Sequence, residues 1–338
     1  MKENEKTVNN SNAESIHVWN HCHHCGENPI VGLRYQCRSC PAGPHNDLCE
    51  TCYEKLLKGE ITHPAEYSPG AGMVIANHHF DVFEGKPVAM FEKWLRVSHP
   101  AAPDPAVTDH FVVRPVFCSQ GDAAIGGYAF VVSLEDHTHP LLLTALHVMD
   151  EMIKKKGIDC TGKNKNYTGK ELPAVITEVN IYDVFAPQWM MAPLGLAGPM
   201  LILPGAGTGE EEPVSDRDIA AFHIKEADIR NLNSRPLAQQ APGVGEPVWL
   251  TGKREDQPGK RTMKAVVTEK AERSFVFMFE DREAERPKSS SGAPILNKNG
   301  DVVGINVGGG RFKGEKFGHA NHVENIRKHL SACKDIQR

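Results

Sequence analysis

Lys288-Ser289-Ser290-Ser291-Gly292-Ala293-Pro294-Ile295-Leu296 is the stretch on which the reading of this chain turns. Small residues crowd one tight turn, an apolar run leaves it, and Asn299-Gly300 then supplies a hairpin signal. The run Asp301-Val302-Val303-Gly304-Ile305-Asn306-Val307 predicts a returning strand that ends at Gly308-Gly309-Gly310. A hydroxyl on such a turn projects into a cleft, and backbone N–H groups beside it can stabilise an oxyanion. Alone, Ser-Ser-Ser-Gly is more often a surface loop. Catalysis needs a base and an orienting acid from elsewhere in the chain.

The totals narrow the classes. A length of 338 residues suits one large domain plus a small module, and 40% hydrophobic residues can fill a sizeable core. A net charge of −5 argues against a nucleic-acid binder that works by bulk electrostatics. Residues 1–14 are polar, with no apolar core near Met1-Lys2-Glu3-Asn4-Glu5-Lys6, and read as a disordered tail without a signal peptide. The most apolar window, Met190 to Ala206, is broken by Pro193, Pro199 and Pro204. It predicts a buried or groove-lining loop, not a membrane span.

Of the nine cysteines, Cys118, Cys160 and Cys333 are scattered. The others form Cys-x-x-Cys pairs at Cys22/Cys25, Cys37/Cys40 and Cys49/Cys52. Such knuckles favour zinc over disulfides, and odd thiols besides them point to a reducing compartment, read here as the cytosol. Two tetrahedral zincs need two more ligands than the knuckles supply, and His63 with His78 or His79 are the natural candidates. A module this short buries too little to fold without its metals.

The text between the knuckles, Asn28-Pro29-Ile30-Val31-Gly32-Leu33-Arg34-Tyr35-Gln36-Cys37 and Asn46-Asp47-Leu48-Cys49-Glu50-Thr51-Cys52-Tyr53, resembles the ZZ-type zinc finger over residues 15–84. That resemblance implies interleaved structural sites: Cys22, Cys25, Cys49 and Cys52 on one zinc, Cys37, Cys40, His63 and His78 on the other. His78 is preferred to His79 because Phe80 follows it at the family's apolar position. The resemblance also implies a reader of protein tails or N-termini. Asp47 matches one acidic position of the members that bind charged N-termini, while His23 and His45 replace others.

A Pro-rich segment, Ser98-His99-Pro100-Ala101-Ala102-Pro103-Asp104-Pro105, marks a linker over residues 85–108. From residue 109 to 335 the pattern changes to about ten short β-type runs, among them Tyr128-Ala129-Phe130-Val131-Val132, Leu141-Leu142-Leu143-Thr144 and Ala174-Val175-Ile176. Such runs suit a barrel or sandwich, not βαβ units. Val323, Ile326 and Leu330 recur at helical spacing and predict a short closing helix.

Within these runs, Gly126-Gly127-Tyr128-Ala129-Phe130-Val131-Val132-Ser133, then Leu143-Thr144-Ala145-Leu146-His147, then Asp218-Ile219-Ala220, then Ser291-Gly292-Ala293-Pro294 resemble the trypsin-like serine proteases in order and content. Gly245-Glu246-Pro247-Val248-Trp249-Leu250-Thr251-Gly252 adds a second-barrel element similar to HtrA-like members. The resemblance implies a mainly β fold of two six-stranded barrels behind the small two-zinc finger. It further implies a serine endopeptidase that cleaves proteins or peptides through an acyl-enzyme. His147 is then the general base, Asp218 its orienting acid and Ser291 the nucleophile, with the N–H groups of Ser289 and Ser291 as the oxyanion hole. Asp216 would face the other side of a strand from Asp218.

Ser289 stands where this family carries glycine, and Ala293 where it carries a second glycine. The first departure keeps open an alternative: an inactive protease-fold scaffold whose finger does the binding. Asn306, Val307 and Gly308 are expected to edge the substrate groove, where a peptide pairs as an added strand. Glu283 and Glu285 read as solvated loop charges before they read as pocket groups that favour basic side chains. Between His147 and Asp218 the Met190–Ala206 window reads as an insertion, serving as lid, partner surface or exosite.

Overall fold

A computed structural model describes residues 15–17, 20, 22–27, 29–37, 47–61, 78–84, 86–87, 103–135, 137, 139–149, 152–153, 175–186, 192–207, 217–254, 261–281, 290–312 and 314–333. The chain separates into two compact units, Met1–Arg96 and Val97–Arg338.

In the first unit two small sheets surround one helix. Strands β1 (Ser15–His17), β2 (Ile30–Val31) and β6 (Lys86–Pro87) form one sheet, in the order β2-β1-β6. Strands β3 (Leu33–Cys37), β4 (Asp47–Cys49) and β5 (Phe80–Glu84) form the other, with β3 central, and α1 (Glu50–Leu57) follows β4 directly. Cys22, Ile30, Leu48, Cys49, Cys52 and Leu56 make the core, which is small for a free-standing fold. Tyr35 stacks on Tyr53 with ring centroids 3.8 Å apart.

The second unit is built almost wholly from antiparallel strands. Strands β7 (Val112–Ser119), β9 (Ala129–Ser133), β10 (Leu141–Thr144), β11 (Glu178–Asp183), β12 (Gly195–Met200) and β13 (Ala220–Ile224) run in the order β9-β10-β13-β12-β11-β7, and a β7–β9 pairing closes the barrel. The hairpin strand β8 (Asp122–Ile125) extends β7, and β14 (Arg235–Pro236) lies parallel to β9. A second closed barrel follows, with β15 (Pro247–Thr251), β16 (Thr262–Lys270), β17 (Ser274–Phe279), β18 (Pro294–Leu296), β19 (Val302–Phe312) and β20 (Glu315–His322). Helix α2 (Val323–Ser331) closes the fold, burying Val323, Ile326 and Leu330 as their spacing predicts.

Strands β9 and β10 read as unbroken apolar runs because both of their faces are covered. Val131 and Leu142 point into the first barrel's own core. Phe130, Val132, Leu141 and Leu143 join Trp249, Phe275 and Phe277 of the second barrel in one continuous cluster. Alternate residues thus serve two cores.

Three expectations change. The Met190–Ala206 window is not an insertion: Gly195–Met200 is a barrel strand, paired with β11 and β13. Its Gly-Pro content is absorbed by an irregularity between Ala197 and Met200, where Gly198 takes a φ of 138°. Val175 and Ile176 do not supply the strand either, which falls on Glu178–Asp183 with Val179 and Ile181 inward; Ala174 lies outside the described residues. The glycines at 308–310 do not end β19: the strand continues to Phe312, paired with β20 throughout and bulged between Asn306 and Gly308. The expected hairpin forms with a five-residue loop between Leu296 and Val302, where Asn297 Oδ1 accepts from the N–H groups of Asn299 and Asp301.

The segment read as a linker is described only at its ends. Lys86–Pro87 pairs with β1 in the first unit. At the other end Asp104 accepts from Trp249 Nε1 at 2.9 Å and from Thr262 Oγ1 at 3.3 Å, on the second barrel.

Candidate active site and metal centre

The first barrel carries a histidine and an aspartate at one end of two neighbouring strands. Strands β10 and β13 are antiparallel, and their last registered pair is Thr144↔Ala220. The chain leaving β10 turns into the short 3-10 segment Leu146–Met149, and the chain entering β13 passes Asp218 two residues before it. Antiparallel pairing therefore delivers His147 and Asp218 to the same edge. The Asp218 carboxylate holds the histidine twice. Its Oδ2 lies 2.5 Å from His147 Nδ1, and its Oδ1 accepts from the His147 backbone N–H at 2.9 Å. The carboxylate side chain is 8% exposed and the imidazole 31%, so the acid is sealed while the ring reaches the surface. Nδ1–H donation to the carboxylate fixes the tautomer and leaves Nε2 as the ring's basic nitrogen.

The serine turn comes from the second barrel, yet it is fastened to the first. Tyr128 N–H donates to the Ser291 carbonyl at 2.7 Å, and Thr144 Oγ1 donates to the Tyr128 carbonyl at 2.6 Å. Gly292 has a φ of 81°, and a Cβ there would overlap both the Tyr128 carbonyl oxygen and Thr144 Oγ1. Only glycine allows this approach. Gly292 N–H also donates to the Asn306 carbonyl at 2.7 Å, while Asn306 N–H donates to the Ala293 carbonyl at 2.8 Å. The turn bearing Ser291 is thus stapled between β19 and the end of β10, three residues before His147.

The Ser291 N–H makes no hydrogen bond among the described residues. Ser289, Glu283, Glu285 and Asp216 lie outside the described residues. Val307 and Gly308 are partly exposed along β19. Asn306 differs from its expectation: it is wholly buried, and its side chain turns beneath the serine turn instead of lining an open groove. Tyr128 and Thr144 carry the docking through backbone and hydroxyl groups. The sequence names both inside its motifs without revealing that role.

A family model for the trypsin-like peptidase domain matches residues 127–305. The chain belongs to the trypsin-like peptidase family. Among solved structures, this chain is similar to the Rv3671c protease from M. tuberculosis in its active form, at 17% identity over 70% of this chain and 90% of that chain, with a TM-score of 0.41. It is also similar to a serine endoprotease from Yersinia pestis, at 15% identity over 71% of this chain and 65% of that chain, with a TM-score of 0.39. No curated protein matches the chain by sequence.

In the first unit, the family model for the ZZ-type zinc finger matches residues 16–62. Cys22 and Cys25 sit on a tight turn, with Gly26 N–H donating to the Cys22 carbonyl; Cys49 ends β4 and Cys52 lies in the first turn of α1. Their sulfurs all lie within 4.8 Å of one another, and Cys25 Sγ is 3.8 Å from Cys49 Sγ. Four thiolates around a tetrahedral zinc stand about 3.8 Å apart, so the donor set fits that metal. Burial pushes the Cys52 thiol up to about 11, a cost that a bound cation reverses. Of the second ligand set, Cys37 Sγ lies 3.3 Å from His78 Nδ1; Cys40 and His63 lie outside the described residues.

Asp47 is occupied within the finger. Its carboxylate pairs with the Arg34 guanidinium at 3.3 Å and accepts from Asn20 Nδ2 at 2.8 Å, with both charged side chains nearly sealed from solvent. Arg34 also lies over the Phe83 ring, 4.3 Å from its centroid.

Proposed function

We propose that this chain is a serine endopeptidase of the cytosol, with His147, Asp218 and Ser291 as catalytic residues and a finger that recruits protein substrates or partners through their tails or N-termini. The observation that carries this reading is the two-point grip of Asp218 on His147, set beside a serine turn docked on the same barrel.

In this mechanism Ser291 Oγ attacks the scissile carbonyl while His147 Nε2 takes its proton. Asp218 keeps Nδ1–H in place and stabilises the imidazolium that forms. The oxyanion of the tetrahedral intermediate is received by the N–H groups of Ser291 and Ser289. Collapse breaks the C–N bond, and the leaving amine takes the proton from Nε2. Water then attacks the acyl-enzyme by the same route.

Two structural zincs belong to this reading, one held by Cys22, Cys25, Cys49 and Cys52, the other by Cys37, Cys40, His63 and His78. They supply cross-links that hold the finger, not a step of hydrolysis. Because Asp47 is paired with Arg34, the finger would bind a partner's amine through other groups. A reducing location is supported by thiols in zinc-type knuckles. Neither a nucleic acid nor a membrane enters this reading; the net charge of −5 supports the first part. Among the described residues, no helix is long and apolar enough to cross a membrane.

The test is labelling by a fluorophosphonate probe together with cleavage of casein, comparing wild type with Ser291→Ala. Wild type labels and cleaves; the alanine variant does neither. A folded wild type that takes no label rejects the enzyme and favours the inactive scaffold.

A further inference from the structure

Asn306 is a buried polar residue that the proposed chemistry leaves unused. It is 0% exposed, and its Nδ2 donates to the Ser290 carbonyl at 2.8 Å, with Ser290 Oγ at 3.3 Å. Its Oδ1 is sealed from water and has no partner among the described residues. An amide kept in such a place at the expense of an unsatisfied oxygen is poor design for stability alone, since an apolar side chain would fill the space without that penalty. The orientation of the amide is fixed by chemistry, because only the –NH₂ end can meet a carbonyl.

The carbonyl it holds belongs to a particular peptide. Ser290 C=O and Ser291 N–H share one planar trans unit and point in opposite directions. Two donors clamp the oxygen: Asn306 Nδ2 and the Ala293 N–H, the latter at 3.0 Å. The Asn306 backbone is itself fastened to Gly292 and Ala293, so the clamp has a fixed base. Turning the peptide over would break both bonds and carry the Ser291 N–H away from the cleft.

We infer that Asn306 is a positioning residue for the oxyanion hole: by holding the Ser290 carbonyl inward it keeps the Ser291 N–H aimed at the developing oxyanion. This rests on the serine-peptidase reading. It assigns Asn306 a role in the transition state that acts through the 290–291 peptide, with no contact to substrate.

The experiment compares wild type with Asn306→Leu and Asn306→Val in the full chain. If the clamp works as described, kcat falls about tenfold or more while KM stays within about twofold. Affinity for a peptide aldehyde, whose hemiacetal oxygen needs the same N–H, falls by the factor lost in kcat. Melting temperature stays level or rises, because the unpaired oxygen is gone. Unchanged kcat, or a parallel loss of kcat, KM and melting temperature, overturns the inference. Crystals of the wild type, free and with the aldehyde, decide it if neither variant folds: the Asn306–Ser290 bond persists in both, and an inverted 290–291 peptide beside an unmoved Asn306 refutes the clamp. A wild type that hydrolyses nothing sinks the peptidase reading, and the same crystals still report the peptide's orientation.

Discussion

Gly292 packs against the Tyr128 carbonyl so closely that no side chain fits between them. This contact joins the second barrel's serine turn to the first barrel's histidine strand, through Thr144 Oγ1 on the same carbonyl. Gly292→Ala must therefore push the turn off its seat and strain a φ of 81° as well. A displacement of about 1 Å at a nucleophile costs about 100-fold in rate. Fluorophosphonate labelling of Gly292→Ala should slow by at least about that factor while zinc content stays at the wild-type value. Wild-type labelling would show that the docking is not needed.

Asp218→Asn tests the grip on His147. An amide of the same shape can still accept from the His147 N–H, but its NH₂ group facing Nδ1 selects the wrong ring tautomer. The expected loss is about 10⁴-fold in kcat near neutral pH, with KM little changed. Steady-state kinetics on a peptide ester measures both. A loss confined to KM would place Asp218 in substrate binding instead.

Acid should loosen the peptidase unit through His322. This residue caps α2: Nδ1 accepts from the Asn325 N–H at 3.3 Å, and Nε2 donates to the Glu272 carbonyl at 2.7 Å. Burial holds its imidazole below the ordinary histidine value, with Lys270 acting in the same direction and Glu324 opposing. Between the depressed native value and about 6.5 the unfolded chain binds more protons than the native one, so stability falls as pH falls through that window. The melting temperature should drop from pH 7 to pH 5, and His322→Asn, which keeps a cap acceptor, should flatten that part of the slope. An equal slope in the variant would clear His322 of the effect.

Removing metal should unfold the finger. Its core is six residues, two-thirds of them within or beside the cysteine cluster, so ligand loss removes the cross-link and the packing together. A chromogenic chelator should release two zincs per wild-type chain and one from Cys49→Ser or His78→Ala. Amide signals of β3 and α1 should collapse on release. One zinc from wild type would confine binding to the four-cysteine site.

How much of this was legible depended on whether a feature is carried by side-chain identity or by backbone. The knuckles, the His147, Asp218 and Ser291 motifs and the closing helix are written in residue type and spacing, and those could be read directly. Strand β12 could not, because Gly195-Leu196-Ala197-Gly198-Pro199-Met200 carries loop-like residues on a strand tolerated by an irregular register. Strand β11 was readable in principle: Val179 and Ile181 alternate with polar neighbours, but the adjacent Ala174-Val175-Ile176 offered a more apolar run. Tyr128 holds the serine turn by its peptide group, a role that any residue type could mask. Asn306 reads as a groove residue beside Val307 and Gly308, whereas its amide lies under the turn.

The division of the site between two barrels also orders its appearance during synthesis. The ring and carboxylate are grouped by β10 and β13, which leave the ribosome well before Ser291 does, and domains fold as units from the N-terminal side. Until β18 and β19 have emerged and closed on Tyr128, a nascent chain has nowhere to seat its hydroxyl. On the proposed reading, competence to cut would arrive only with the final strands, and a half-made chain would lack it.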